Sequence, residues 1–219
     1  MKSKGILTDD LLEVKESSGG ARWYNVEGHG WLPSVTTVLD YGFPKNYWLM
    51  EWFKKNTKEF CDEQRREAAE RGSRIHAVAE RLLNTGTFNT KILNPLERVD
   101  VRGLIQFKED YNPKFGQAEV PVFVIEGCVE AAGRVDVRVE FESKVGPLDF
   151  KTGKGLYASH EAQLACYAKA LGDEHAWLLH LNETKKGYTL KAVDVEKGWR
   201  LFEAAAVMFN ELGPKPPSD

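Results

Sequence analysis

The sequence has few cysteines and no long apolar run. Its 219 residues include only three cysteines, Cys61, Cys128 and Cys166, which lie far apart and are odd in number. This argues against a disulfide framework and against a four-cysteine zinc or iron–sulfur site. We therefore expect reduced thiols and no iron–sulfur cluster.

Segments that would place the chain in a membrane or export it are also missing. No stretch approaches the roughly 18 uninterrupted apolar residues of a membrane span. The polar residues Thr8, Asp9 and Asp10 stand where a secretory signal would be apolar. We expect a cytoplasmic protein, of the bacterial or phage-infected cell type, with no signal peptide, no transmembrane segment and no membrane partner.

A strong net charge is the third absence. Thirty Lys and Arg residues against 33 Asp and Glu residues give a formal charge of −3. The chain is not a general polycation, so nucleic-acid binding would need local basic patches or a bound metal. The 42% apolar and 29% charged residues are ordinary for a globular protein, which excludes disorder as the dominant state.

Hydrophobic periodicity is mainly helical in the first half and alternates from residue 118 onwards. The predicted strands are 22–26, 119–125, 134–141, 147–151, 176–181 and 187–195. The predicted helices are one capped by Ser34, 45–60, 62–84, 95–111, 159–171 and one capped by Asp194. This order predicts an α/β core with an N-terminal helical, aromatic-rich lobe. We expect the lobe at 1–60, the core at 61–212 and a flexible tail at 213–219.

An Asp-x-Lys pattern on one predicted strand carries the clearest chemistry. Residues two apart on a strand share a face and stand about 6–7 Å apart, so Asp149 and Lys151 point together. If the preceding strand pairs antiparallel with it through a turn at 143–146, Asp136 joins them. Two carboxylates are suitable oxygen ligands for Mg²⁺. A neighbouring lysine can hold or help deprotonate a metal-bound water and neutralise a phosphate. The alternative is an ordinary surface strand with solvated charges.

Two helices offer polar side chains that could join this cluster. His76 borders the buried stripe of the long predicted helix, where a neutral imidazole could ligate a metal. The alternative is a half-buried histidine satisfied by hydrogen bonds. Gln163 and Tyr167 stand four apart on one helix face and could orient the lysine or touch a phosphate. The alternative is that both side chains only pack along the helix, with their polar ends exposed to solvent.

These residues form an ordered series of motifs over about residues 71–171. The motifs are Gly72-x-x-x-His76, Glu119-x-Pro121, Gly133-Arg134-Val135-Asp136, Asp149-Phe150-Lys151-Thr152-Gly153 and Gln163-x-x-x-Tyr167. The series resembles the RecB-like branch of the PD-(D/E)xK nuclease superfamily. Residues 32–39 are also similar to the opening of small phage and mitochondrial genome maintenance exonucleases. Val135 replaces the proline of the superfamily's name, and Asp149 stands where many members have glutamate.

The resemblance implies a restriction-endonuclease-like core, with a mixed central sheet flanked by helices, and a set of roles. His76, Asp136, Asp149 and the backbone carbonyl of Phe150 would bind Mg²⁺ or Mn²⁺. Lys151 would be the catalytic lysine, Glu119 would serve a second metal or its water, and Gln163 and Tyr167 would support the lysine. The implied reaction is metal-dependent hydrolysis of DNA.

We expect an exonuclease acting on DNA ends or single strands in replication or recombination, with proteins of those processes as partners. Three alternatives stay open. The chain could be a non-cleaving nucleic-acid-binding module on the same fold, a structure-specific endonuclease, or an α/β scaffold whose Asp-x-Lys is accidental. Metal-dependent cleavage of labelled DNA distinguishes them.

Ten of the 24 aromatic residues fall between residues 23 and 60, interleaved with lysines. Most are expected to form the core of the lobe, while Tyr47 and Trp48 are candidates to stack on a DNA strand. Ser34 and Thr36, at a helix start, could donate to a phosphate, although capping explains Ser34 equally well. Arg74 and Arg134 complete the candidate DNA contacts, and for Arg74 a solvated helix face is the alternative.

Overall fold

The computed structural model describes residues 2–7, 13–17, 20–45, 47–85, 93–181 and 184–217. The helices are α1 (Val35–Gly42), α2 (Tyr47–Lys55), α3 (Lys58–Thr85), α4 (Pro95–Tyr111), α5 (Ala158–Leu171) and α6 (Val195–Leu212). The strands are β1 (Lys2–Ile6), β2 (Glu13–Glu16), β3 (Arg22–Val26), β4 (Gly30–Pro33), β5 (Lys114–Glu126), β6 (Val129–Phe141), β7 (Lys144–Lys151), β8 (Trp177–Leu181) and β9 (Tyr188–Ala192).

The strands form two sheets. A six-stranded sheet has the order β1-β5-β6-β7-β8-β9, and a three-stranded sheet has the order β2-β3-β4. In the larger sheet β7 and β8 are parallel, because α5 connects them as a crossover, and the other described pairs are antiparallel. The predicted α/β class is confirmed: helices flank a mixed six-stranded sheet.

Two hydrophobic clusters hold the helices to the larger sheet. One joins α1, α5 and α6 to β5 and the start of β6, and the other joins α3 and α4 to β7, β8 and the end of β6. Val135 belongs to the first cluster and Val137 to the second. The buried side chains of β6 pass from one cluster to the other where the ladder between β6 and β7 ends, at Val137 and Leu148.

The predicted helix over 45–60 is not continuous. Residues 47–55 form α2, and α3 begins at Lys58. Asn56 and Thr57 separate α2 from α3. The Asn56 side chain donates to the Trp52 carbonyl at 2.8 Å, and the Thr57 hydroxyl accepts from the Phe60 N–H at 3.3 Å. Side chains of this kind compete with helical backbone bonds, so one helix ends and the next begins. Strands β1, β2 and β4 were not predicted.

The described residues among the first 60 pack against the rest of the chain. Strand β1 pairs with β5 in the larger sheet, and α1 packs against α6. The contact with α6 needs a glycine, since a Cβ on Gly42 would lie 1.9 Å from the Ala205 carbonyl oxygen. Apolar residues of β3 and α1 share one cluster with α5 and α6, so the predicted boundary at residue 60 does not divide the hydrophobic core. Residues 213–217 form neither helix nor strand, and 218–219 lie outside the described residues.

None of the helices in the described ranges combines the length and apolar character needed to cross a bilayer. All three cysteines are free thiols; Cys61 and Cys166 are buried and Cys128 is exposed.

Candidate metal centre

A tight hairpin between β6 and β7 brings Asp136 and Asp149 to the same region. Glu142 and Ser143 form its two-residue turn with φ values of 50° and 61°, a pattern that fits a type I′ turn and keeps the strands in register. The ladder ends at Val137 and Leu148. Beyond it, Asp136 Oδ2 accepts a hydrogen bond from the Phe150 N–H at 2.9 Å. The predicted antiparallel pairing is confirmed, but the turn was expected at 143–146, and residues 144–146 instead belong to β7.

His76 reaches this point from α3. Its Nε2 lies 3.0 Å from the Phe150 carbonyl oxygen, and its Nδ1 lies 3.4 Å from Asp136 Oδ1. The helix supplies the expected border position, since Ile75 and Ala79 are fully buried while His76 is half-buried. The imidazole therefore lies between a carboxylate and a backbone carbonyl.

Glu119 completes a compact donor set. One ligand atom from each of His76, Glu119 and Asp136 lies within 4.8 Å of the others. Two carboxylates and an imidazole are donors that suit a divalent cation such as Mg²⁺ or Mn²⁺. The predicted ligands His76 and Asp136 thus lie together, and the Glu119 carboxylate lies close to both.

Asp149 is placed differently from the other carboxylates. It does not belong to the group within 4.8 Å, and its side chain is buried against Lys151. Lys151 Nζ donates to Asp149 Oδ1 at 3.1 Å. Oδ2 lies 2.8 Å from the same nitrogen but out of line for a hydrogen bond, and it has no hydrogen-bond partner among the described residues. A buried carboxylate oxygen in this state is an acceptor that a cation could satisfy.

The charges of the site act strongly on one another. Burial raises the pKa of Asp149 to about 6, and the Asp136 carboxylate adds to the rise while Lys151 opposes it. Burial acts to lower the pKa of His76, but the hydrogen bond and charge of Asp136 and the charge of Asp149 raise it to about 9. The protein without metal therefore holds an imidazolium among acceptors.

Lys151 belongs to a chain of polar contacts that ends in α5. Its Nζ also donates to Gln163 Oε1 at 3.2 Å, and Gln163 Nε2 donates to the Tyr167 hydroxyl at 3.4 Å. Burial acts to lower the pKa of Lys151, yet the charges of Asp149 and Asp136 raise it above its usual value. Lys151 is therefore an ammonium suited to neutralising negative charge, and not a base, in this state.

Tyr167 explains one glycine of the motif series. A Cβ on Gly133 would lie 2.9 Å from a ring carbon and 3.0 Å from the hydroxyl of Tyr167. The side chain of Tyr167 therefore passes directly over β6 at a residue without a side chain. Burial raises its pKa well above the usual value, so the group remains a phenol.

Two ion pairs fix α3, the helix that carries His76, against α4. Arg71 makes two hydrogen bonds of 2.8 Å to Asp100, and Arg74 pairs with Glu97 at 2.5 Å. Asp100 and Glu97 are buried. These ion pairs were not predicted, although the arginines on one helix and the acids on the other share the same i, i+3 spacing. The arginine predicted as a DNA contact, Arg74, is thus engaged within the protein.

The other candidate DNA contacts lie in varied surroundings. Ser34 is buried, and its hydroxyl accepts from the Thr37 N–H at 2.9 Å as the cap of α1; of its two interpretations, capping is the one confirmed. Thr36 is exposed, and Tyr47 is 66% exposed. The Trp48 side chain lies outside the described residues. Arg134 NH1 donates to the Glu119 carbonyl oxygen at 3.3 Å, beside the donor set.

No protein-family model and no curated protein matches the chain. Among solved structures it is similar to one titled "Crystal structure of SSO0001", with 19% sequence identity and a TM-score of 0.31. The match covers 53% of this chain and 60% of that chain, so it spans less than two thirds of the other protein. A likeness at this TM-score carries no argument about fold or function.

Proposed function

We propose that the chain is a divalent-metal-dependent deoxyribonuclease with a restriction-endonuclease-like core. The observation that carries the proposal is the meeting of His76, Glu119 and Asp136 within 4.8 Å, beside a buried pair of Asp149 and Lys151. The motif series that resembles RecB-like nucleases contains all five residues. We further propose an exonuclease of the cytoplasm that acts on DNA ends or single strands in replication or recombination, alongside proteins of those processes.

The donor set fits Mg²⁺ or Mn²⁺. His76, Asp136 and Glu119 would hold the ion, with Asp149 and the Phe150 carbonyl as further ligands. Oδ2 of Asp149 supports this set, since it is buried and accepts no hydrogen bond among the described residues, although it lies 2.8 Å from Lys151 Nζ. Such an ion, when bound, lowers the pKa of a coordinated water and stabilises negative charge on phosphoryl oxygens.

Side chains of the protein itself would neutralise the phosphate charge and position the groups of the site. The Lys151 ammonium, held by Asp149 and Gln163, would neutralise charge that develops on the phosphate. Tyr167 and Gln163 would keep that ammonium in place, since their hydrogen bonds form one chain ending at Nζ. Asp136 would hold the backbone of Phe150, and with it the carbonyl that faces His76.

Digestion of end-labelled single- and double-stranded DNA tests the proposal. We expect loss of label with Mg²⁺ or Mn²⁺ and none with a chelator. Asp149→Ala and Lys151→Ala should each reduce the rate by at least about 100-fold, because charge stabilisation of this kind is commonly worth that much. Substrates labelled at the 5′ or 3′ end separate exonuclease from endonuclease and give the direction of cleavage.

Lys144→Ala is the matched control, since Lys144 lies on the same strand but at the hairpin end of β7. It should cleave at the rate of the unmodified protein. DNA binding without cleavage under every metal would contradict the nuclease and favour a non-cleaving binding module. Neither binding nor cleavage would favour a scaffold with an accidental Asp-x-Lys.

A further inference from the structure

Glu119 has a left-handed backbone in the interior of a strand, with a φ of 54°. The other described non-glycine residues with positive φ have local reasons: Asn112 ends a helix, and Glu142 and Ser143 form a hairpin turn. Residues with a side chain rarely adopt this conformation, and it persists only where the surroundings hold it. Glu119 therefore needs a structural partner.

The neighbouring strand supplies that partner. The pairs Ala118–Val137 and Val120–Val135 flank Glu119 on either side, and the register of β5 against β6 shifts just before them, between Phe115 and Ala118. Arg134 on β6, opposite Pro121, donates from NH1 to the Glu119 carbonyl oxygen at 3.3 Å. This hydrogen bond holds the carbonyl group of the residue whose φ is positive.

The left-handed backbone of Glu119 affects where its carboxylate lies relative to the other metal donors. The backbone torsions of a strand residue decide where its side chain points. With Glu119 in its left-handed conformation, its carboxylate lies within 4.8 Å of His76 and Asp136. A return to extended backbone would redirect that carboxylate and leave two donors instead of three.

We propose that Arg134 is a positioning residue that holds the left-handed backbone of Glu119 and thereby keeps the Glu119 carboxylate in the donor set. The metal-binding part of this inference rests on the proposed function, whereas the backbone part does not. Arg134 was predicted from sequence as a DNA contact; its hydrogen bond to the Glu119 carbonyl favours the positioning role.

The backbone part is tested on metal-free protein by urea unfolding of Arg134→Gln, Glu119→Gly and the double variant. Glycine adopts positive φ without strain, so it does not need the arginine. We expect Arg134→Gln to lower the unfolding midpoint, and to lower it by less than half as much in the Glu119→Gly background. Equal decreases in the two backgrounds would overturn the proposal. Arg134→Lys provides a milder variant should Arg134→Gln not fold.

The metal part is tested by Mn²⁺ titration, with free Mn²⁺ followed by electron paramagnetic resonance. Arg134→Gln should weaken Mn²⁺ binding about tenfold, as loss of an outer-shell partner commonly does. In the Glu119→Gln background it should weaken binding less than twofold. Equal weakening in both backgrounds, or no weakening in either, would overturn the positioning role.

Arg138→Gln is the matched control, since Arg138 lies on the same strand but pairs with Asp173. It should leave Mn²⁺ affinity unchanged. If the unmodified protein binds no Mn²⁺, the metal part fails together with the proposed function. If it binds Mn²⁺ and Arg134→Gln has no effect, only the positioning proposal fails.

Discussion

Asp136 accepts a hydrogen bond at 2.9 Å from the backbone N–H of Phe150, just beyond the last paired residues of β6 and β7. A side-chain oxygen thus satisfies a donor where the ladder between these strands has ended. The same carboxylate lies 3.4 Å from His76 Nδ1 through its other oxygen. Asp136 therefore ties the sheet to α3, and its two oxygens link the backbone of the site to its imidazole.

Metal should stabilise the fold if the donor set binds it. At a Mn²⁺ concentration 100 times the dissociation constant, the free energy of unfolding should rise by about 2.7 kcal/mol, because only the folded chain brings the ligands together. Urea unfolding with Mn²⁺ and with a chelator measures this difference. In Asp136→Asn, Mn²⁺ at the same concentration should raise the free energy of unfolding by less than half as much as in the unmodified protein. The control Glu140→Gln, on the same strand but paired with Lys114, should keep all of it.

Two glycines of the motif series, Gly133 and Gly72, should differ in their tolerance of a methyl group. Gly133→Ala forces a Cβ to within 2.9 Å of the Tyr167 ring, so we expect a loss of about 1–3 kcal/mol from overpacking and a lower rate of DNA cleavage. Gly72→Ala places its Cβ 3.9 Å from Thr152 Oγ1, an ordinary contact. In a helix interior this change should stabilise by about 0.5–1 kcal/mol. Urea unfolding of both variants measures the two changes in the free energy of unfolding. Similar losses in Gly133→Ala and Gly72→Ala would contradict this prediction.

The ion pair between Arg71 and Asp100 should be costly to break from one side. Arg71→Ala removes the two hydrogen bonds that Arg71 donates to the fully buried Asp100 carboxylate, and we expect a loss of about 3–5 kcal/mol. Arg65→Ala, on the same helix, removes an exposed contact of 3.9 Å to Asp62 and should cost less than about 1 kcal/mol. Chemical denaturation of the two variants measures the difference. A small loss in Arg71→Ala would mean that α3 is held without this anchor.

His160 should make the protein less stable in mild acid. Burial, followed by the charges of Lys151 and His180, lowers the pKa of His160 to about 4 from its ordinary 6.5. The unfolded chain binds this proton first, so the stabilising contribution is complete above pH 6.5 and is lost as the pH falls towards 4. In His160→Gln, unfolding midpoints measured between pH 7 and 4 should fall less steeply than in the unmodified protein. Parallel slopes would show that His160 titrates normally.

Much of the fold was predictable because it depends on local pattern. The helix over 95–111 was predicted with the observed bounds because apolar residues recur there at helical spacing, and in the structure Asn94 and Glu97 form a capping box at its start. The alternation of apolar and polar residues likewise predicted β6. The two-residue spacing of Asp149 and Lys151 placed both side chains on one face of β7. Strands β1 and β2 escaped prediction because they are short and mostly exposed, so no buried face marks their pattern.

Chain order and residue type by themselves determined the α/β class and the candidate groups His76, Glu119, Asp136, Asp149 and Lys151. Only the tertiary structure decided how those groups meet. It joined Glu119 to His76 and Asp136, left Asp149 outside that group, and engaged Ser34 and Arg74 within the protein. The physical reason is that periodicity records which face of an element is buried. The distance between side chains far apart in sequence depends instead on register, strand order and the backbone torsion of single residues such as Glu119.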